Sequence, residues 1–139
     1  MEPHDGLVAS IASVFAGEPV AFAYVFGSVA RGEAGHDSDV DVAIHFDAGM
    51  TAEERFARVL RLGVELERVL HRDVDVVDLE TVPLRIAGRI LTERRVVLGL
   101  ERADRVRYES ETFRRYVDFE HHARELDAEL LRAMSAGER

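Results

Sequence analysis

The stretch "YVFGSVARGEAGHDSDVDVAIHF", residues 24–46, runs from apolar strand formers into Gly27-Ser28, crosses a small polar segment, and returns to an apolar run carrying Asp39 and Asp41. Aspartate is depleted in strands, so two acids one residue apart among valine, alanine and isoleucine need a reason. Residues two apart in a strand point to the same face. Asp39 and Asp41 are therefore expected to project together, with Ala43 and His45, while Val40, Val42 and Ile44 face a covering helix. A third acid, Asp75, stands inside the apolar run "RDVDVVDL" and shares its face with Asp73 and Val77.

Working outward, "DGLVASIASVFAG" has helical spacing and ends at Gly17, and Pro19 precedes a strand, "VAFAYVF". Residues 27–37 read as a turn region with a short helix starting at Ser28, and "SDVDVAIHF" as the next strand. Thr51 and Glu54 have the spacing of a capping box. It opens a long amphipathic helix whose inner stripe is expected at Phe56, Val59, Leu60, Gly63, Leu66 and Leu70. "RDVDVVDL" is a third strand, Pro83 suits the first turn of a helix over "LRIAGRILTER", and "VVLG" is a short fourth strand. The tail from Glu101 to Met134 is one long helix or two broken ones, with Val106, Phe113, Tyr116, Val117, Ala123, Leu126, Leu130 and Leu131 at packing positions. The predicted fold class is α/β, of the α+β kind: a small mixed sheet of about four strands flanked by helices, with a long C-terminal helical segment. Residues 1–139 are expected to form a single domain, with a core over 1–100 and the helical segment over 101–139.

Charge and composition narrow the function. A formal net charge of −9 argues against a sequence-independent nucleic-acid binder, which needs a basic surface. Without cysteine there is neither a disulfide framework nor a thiolate metal site. No apolar run approaches the roughly 20 residues that span a membrane, and the N-terminus lacks a signal-peptide pattern, so a cytoplasmic protein is expected. Lysine is also absent. Any phosphate must then be held by arginine, backbone N–H groups or metal ions.

These constraints meet in the opening stretch. Three strand-borne carboxylates suit Mg²⁺, which takes hard oxygen ligands and commonly pairs one or two carboxylates with phosphate oxygens. Gly27 permits close approach of a phosphate to the backbone, and a helix starting at Ser28 aims free N–H groups at it. Arg31, one turn on, either reaches a phosphate oxygen or pairs with a loop acid. The bland alternative is that Asp39 and Asp41 merely decorate a solvated edge strand. His45 reads as a rim histidine, Asp73 as a solvated strand end and Asp78 as a cap or surface residue. His121 and His122 read as a surface pair, and Tyr108 and Tyr116 as packing residues of the tail.

The segment "GSVARGEAGHDSDVDVAI" resembles the signature of the DNA polymerase β-like nucleotidyltransferases, in which a G-S turn is followed by D-x-D on the next strand. Its short length, "ARG" and "SDVDV" look most like the minimal nucleotidyltransferase (MNT) antitoxins of HEPN/MNT toxin–antitoxin systems. The resemblance implies that Gly27, Ser28 and Arg31 contact the triphosphate of ATP. It also implies that Asp39, Asp41 and Asp75 ligate Mg²⁺, as two ions, with Asp75 helping to activate the acceptor hydroxyl. The implied reaction is transfer of AMP from ATP to a tyrosine of a HEPN ribonuclease partner, held as a hetero-oligomer, with release of pyrophosphate. Two alternatives stay open: nucleotidylation of a small hydroxylated molecule such as an aminoglycoside, and a non-enzymatic module that blocks a toxin by binding it.

Overall fold

The computed structural model describes residues 5–33, 35 and 38–137. The elements run α1 (Asp5–Phe15), β1 (Val20–Phe26), α2 (Gly27–Ala30), β2 (Val40–Phe46), α3 (Ala52–Leu70), β3 (Val74–Asp78), α4 (Leu84–Glu93), β4 (Arg95–Leu98) and α5 (Ala103–Gly137). The strands form one mixed sheet in the order β3-β2-β1-β4. β1 pairs antiparallel with both β2 and β4, whereas β2 and β3 run parallel. That parallel pair needs a long crossover, which α3 supplies. The expected fold class is borne out, with β2 two residues shorter than its sequence suggested: Ser38 and Asp39 stand ahead of the strand. Of the turn over 27–37, residues 34, 36 and 37 lie outside the described residues.

Alternation along β2 sorts the two faces. Val40, Val42, Ile44 and Phe46 pack with Ile11 and Phe15 of α1 and Leu62 and Leu66 of α3. Phe22, Tyr24 and Ala43 take the other face, under Ile90 and Leu91 of α4 and against Tyr108 and Phe113 of α5. Burying each of the larger apolar side chains contributes about 1.5–3 kcal/mol before the entropy of ordering is counted.

The capping box forms: the Glu54 N–H donates to Thr51 Oγ1 at 3.1 Å, and the Thr51 N–H to Glu54 Oε2 at 3.3 Å. The inner stripe of α3 holds at Val59, Gly63, Leu66 and Leu70 and departs from expectation at Phe56 and Leu60. Phe56 and Leu60 are exposed, while Leu62 and Leu66 are fully buried. Arg55 takes an inward place on the first turn, its Nε donating to Asp78 Oδ2 at 2.8 Å. With Arg55 facing in, the core stripe is Arg55, Val59, Leu62 and Leu66, at i, i+4, i+7 and i+11. Asp78 is thus a buried ion-pair partner and not a surface residue, although its Oδ1 also caps a turn through the Glu80 N–H at 3.0 Å. Pro83 precedes α4 as its N-cap.

α5 is one unbroken helix of 35 residues, about 52 Å long at 1.5 Å per residue. Tyr108 and Phe113 join the second core cluster, and Tyr116 lies against Gly88 of α4, where an added Cβ would meet its ring at 2.3 Å. Beyond that point Val117, Phe119, Leu126, Leu130, Leu131 and Met134 are exposed, as is Val106 at the start. The sequence-based packing stripe therefore holds at Phe113 and Tyr116, with Ala123 half-buried, and fails at Val106, Val117, Leu126, Leu130 and Leu131. No helix among the described residues is long and apolar enough to cross a membrane.

Candidate active site

The site lies where β1 ends beside the start of β2. Phe26, the last residue of β1, is the register partner of Asp41. Gly27 follows with φ +73°, and a Cβ placed there would lie 2.3 Å from Asp41 Oδ2. Both the backbone angle and the close carboxylate exclude other residues at this position. Gly27 opens the one-turn helix α2, with Ser28 half-buried beside it. The first N–H groups of such a turn have no intrahelical acceptor.

Across the parallel pair, Asp41 is the register partner of Asp75. Strand neighbours in a sheet are about 4.8 Å apart, so two carboxylates are held side by side on one face. Asp39, exposed and one step ahead of β2, adds a third negative charge. Its approach is fixed by two contacts: the Val40 N–H donates to Asp73 O at 3.0 Å, and Arg72 donates to Ser38 O at 2.7 and 3.1 Å. Burial pushes the Asp41 carboxyl above the usual aspartate range, and the charges of Asp75, Asp39 and Glu93 push it the same way, against the smaller opposing pull of Arg31. Among the described residues, no ion pair compensates Asp39, Asp41 or Asp75. No three His, Cys, Asp or Glu side chains among those residues converge closely enough to hold a metal ion by themselves. The donor set is nonetheless of the right kind for a hard divalent cation: adjacent carboxylates with no ion pair among the described residues, beside a glycine that leaves the approach open.

Arg31 takes the loop-acid option and a second acid besides. Its Nε meets Glu33 Oε2 at 3.1 Å and its Nη1 meets Glu93 Oε1 at 2.9 Å. The other oxygen of Glu93 accepts the Gly27 N–H at 3.2 Å. Sequence reading missed both Glu93 and Arg72. Each occupies an unremarked position, one at the end of α4 and one ahead of β3, and nothing in local spacing points from either to the G-S turn. His45 takes no part in the acid cluster: its ring stacks on Phe22 with centroids 4.6 Å apart and meets the edge of Tyr108 at 5.3 Å. Asp73 is exposed, as expected.

Residues 9–103 match the family described as "Polymerase beta, Nucleotidyltransferase". The chain belongs to the polymerase β nucleotidyltransferases. The matched segment contains the G-S turn and all three acids. Among its polymerase β-type relatives, a protein of Methanocaldococcus jannaschii named "Putative protein adenylyltransferase MJ0435" is 37% identical over 71 residues, covering 51% of this chain and 72% of the relative. A solved structure described as a minimal nucleotidyltransferase is 33% identical, with a TM-score of 0.53, over 65% of this chain and 88% of that one. A toxin–antitoxin crystal structure with AMP-PNP shares the fold at a TM-score of 0.70 and 20% identity, covering 89% of this chain and 98% of its own. A complex of tri-AMPylated Shewanella oneidensis HEPN toxin with MNT antitoxin aligns with a TM-score of 0.65 at 19% identity, over 91% and 98% of the two chains.

Proposed function

We propose that this nucleotidyltransferase is an MNT antitoxin that transfers AMP from ATP to a tyrosine of a HEPN toxin. The observation that carries the reading is the pair Asp41–Asp75, opposed in register beside the G-S turn, with no ion pair to either among the described residues. Like charges held this way destabilise the fold unless a cation shares the site, so their persistence points to function rather than packing. The structures of toxin–antitoxin complexes that share the fold support the choice of partner.

In this reading Asp39, Asp41 and Asp75 hold Mg²⁺ together with phosphate oxygens of the nucleotide. The metal supplies charge neutralisation at the triphosphate when bound. Gly27 and Ser28 present backbone N–H groups and a hydroxyl to the phosphates, and Arg31 adds a guanidinium. The tyrosine oxygen of the partner attacks the α-phosphorus of ATP. The bond from that phosphorus to the bridging oxygen of the β-phosphate breaks, pyrophosphate leaves, and the phenolic proton passes to Asp75. The residues mainly position the reactants and stabilise charge. A cytoplasmic setting and a hetero-oligomer with the toxin belong to the same reading.

The test uses ATP labelled on its α-phosphate, Mg²⁺ and a HEPN protein from the same source as this chain. Label is expected on a tyrosine of that protein. A folded sample that leaves the partner unlabelled overturns the reading. So does pyrophosphate release driven by an aminoglycoside with no partner present.

A further inference from the structure

Glu93 is the one acid of the site that the nucleotidyl-transfer chemistry above does not use, and it is the best connected. Its side chain is only 18% exposed. One oxygen accepts the Gly27 N–H at 3.2 Å, the other meets Arg31 Nη1 at 2.9 Å, and Arg89 Nε approaches the latter at 3.5 Å from one turn back in α4. A single carboxylate thus ties three elements together: the end of α4, the first residue of the G-S turn, and the arginine at the far end of α2. Arg31 carries five N–H donors in a rigid fork. Glu93 engages Nη1 and Glu33 engages Nε, on a side chain that is 37% exposed, so the fork is anchored at two nitrogens, and Nη2 is the one that no ion pair among the described residues engages.

We propose that Glu93 is a positioning residue for nucleotide binding: it clamps Arg31 to the G-S turn and so presets the guanidinium for the triphosphate. An unanchored arginine must lose side-chain freedom when it meets a phosphate, whereas an anchored one has lost it already. The carboxylate does this without touching the substrate. The proposal rests on the reading of Gly27, Ser28 and Arg31 as the triphosphate grip.

The experiment is a double-mutant cycle on binding of ATP with Mg²⁺, measured by calorimetry on the full chain, for wild type, E93Q, R31A and the double variant. Gln keeps an acceptor for the Gly27 N–H and removes the charge that holds Arg31. E93Q is expected to weaken binding by about 5–10-fold, the scale of one charge-assisted hydrogen bond. In the R31A background the same change is expected to add nothing, because the clamp has no arginine left to hold. Thermal unfolding of E93Q provides the check that the fold persists, and E93D, which keeps the charge, is expected to recover part of the affinity. Additive losses, unchanged binding or tighter binding in E93Q each overturn the inference; tighter binding would make Glu93 a competitor of the phosphates. If R31A itself binds ATP like wild type, the grip reading fails instead, and the two failures are told apart by that single variant.

Discussion

Two groups of acids share one face of this sheet and are treated in opposite ways. Glu109 of α5 reaches Tyr24 in β1, accepting its hydroxyl at 2.7 Å, and is bound by Arg94 at 2.8 and 3.0 Å and by Arg105 at 2.8 Å. Asp41, on the same face near the start of β2, has no ion-pair partner among the described residues and faces three other acids, Asp75 across the register, Asp39 ahead of it and Glu93 beside the turn, with the charge of Arg31 acting against them. One carboxylate has three donors bonded to it; the other has three repulsions and the unbonded charge of Arg31 against them. The protein evidently has arginine to spend, since Asp78 on the opposite face also has its guanidinium, from Arg55. A charge that the fold neutralises is part of the fold, and a charge left bare beside an open turn is kept for something that arrives.

The largest effect should come from erasing the bare charge. Asp41→Ala is expected to lower AMP transfer to the partner by about 10³-fold, or ~4 kcal/mol of transition-state stabilisation, while circular dichroism shows an unchanged fold. The double change D39A/D41A should also abolish protection in cells that express the toxin. Protection that survives it would make this chain a toxin-binding module and dissolve the contrast between the two acid groups.

Erasing the neutralised charge should do the reverse. Glu109→Ala leaves Arg94 and Arg105 facing each other and removes the acceptor for a buried tyrosine. The cost is expected at about 3–5 kcal/mol, read as a fall in Tm of roughly 10–20 °C, with transfer by the remaining folded protein intact at low temperature. Loss of activity without loss of Tm would place Glu109 in the site and break the comparison from the other side.

How much of this was legible in the sequence follows from the range of the signals. The G-S turn, the D-x-D strand and the third acid are local patterns with a strict period, so Gly27, Asp41 and Asp75 could be read with their faces and came together as expected. The arrangement of strands was legible at the level of class, because alternating strands and helices restrict the choices. What stayed hidden is long-range polar pairing. Glu109 is 85 positions from Tyr24, and Glu93 is 66 from Gly27, so no window of sequence contains either bond. The two misplaced positions of the α3 stripe have the same origin: Phe56 and Leu60 look like core until Arg55 is known to face Asp78. Hydrophobic periodicity finds the apolar face, but a buried ion pair can turn the helix away from it.

The smallest effect is the sharpest test of sign, because the two acids should shift stability with pH in opposite directions. Burial works against ionisation of Glu109, but hydrogen bonds from Arg94, Tyr24 and Arg105 outweigh it and hold the carboxyl below the usual glutamate value of 4.5. Its stabilising contribution is therefore complete above that value and is lost as pH falls through the lower folded pKa. Asp41 is displaced upward from the aspartate value of 3.8, so its ionisation opposes folding once pH exceeds that value. Asp41→Asn keeps the shape, removes the charge and should raise stability at neutral pH by about 1 kcal/mol, the gain common when a functional site is relieved of a destabilising group. The gain should shrink as pH falls from the raised folded pKa and vanish below the ordinary aspartate value. Thermal melts of wild type and D41N between neutral and acid pH, without added divalent ions, give the curve. An Asn variant less stable than wild type at neutral pH would mean that Asp41 is held by the fold after all, and the bare acid of this site would then be no different from Glu109.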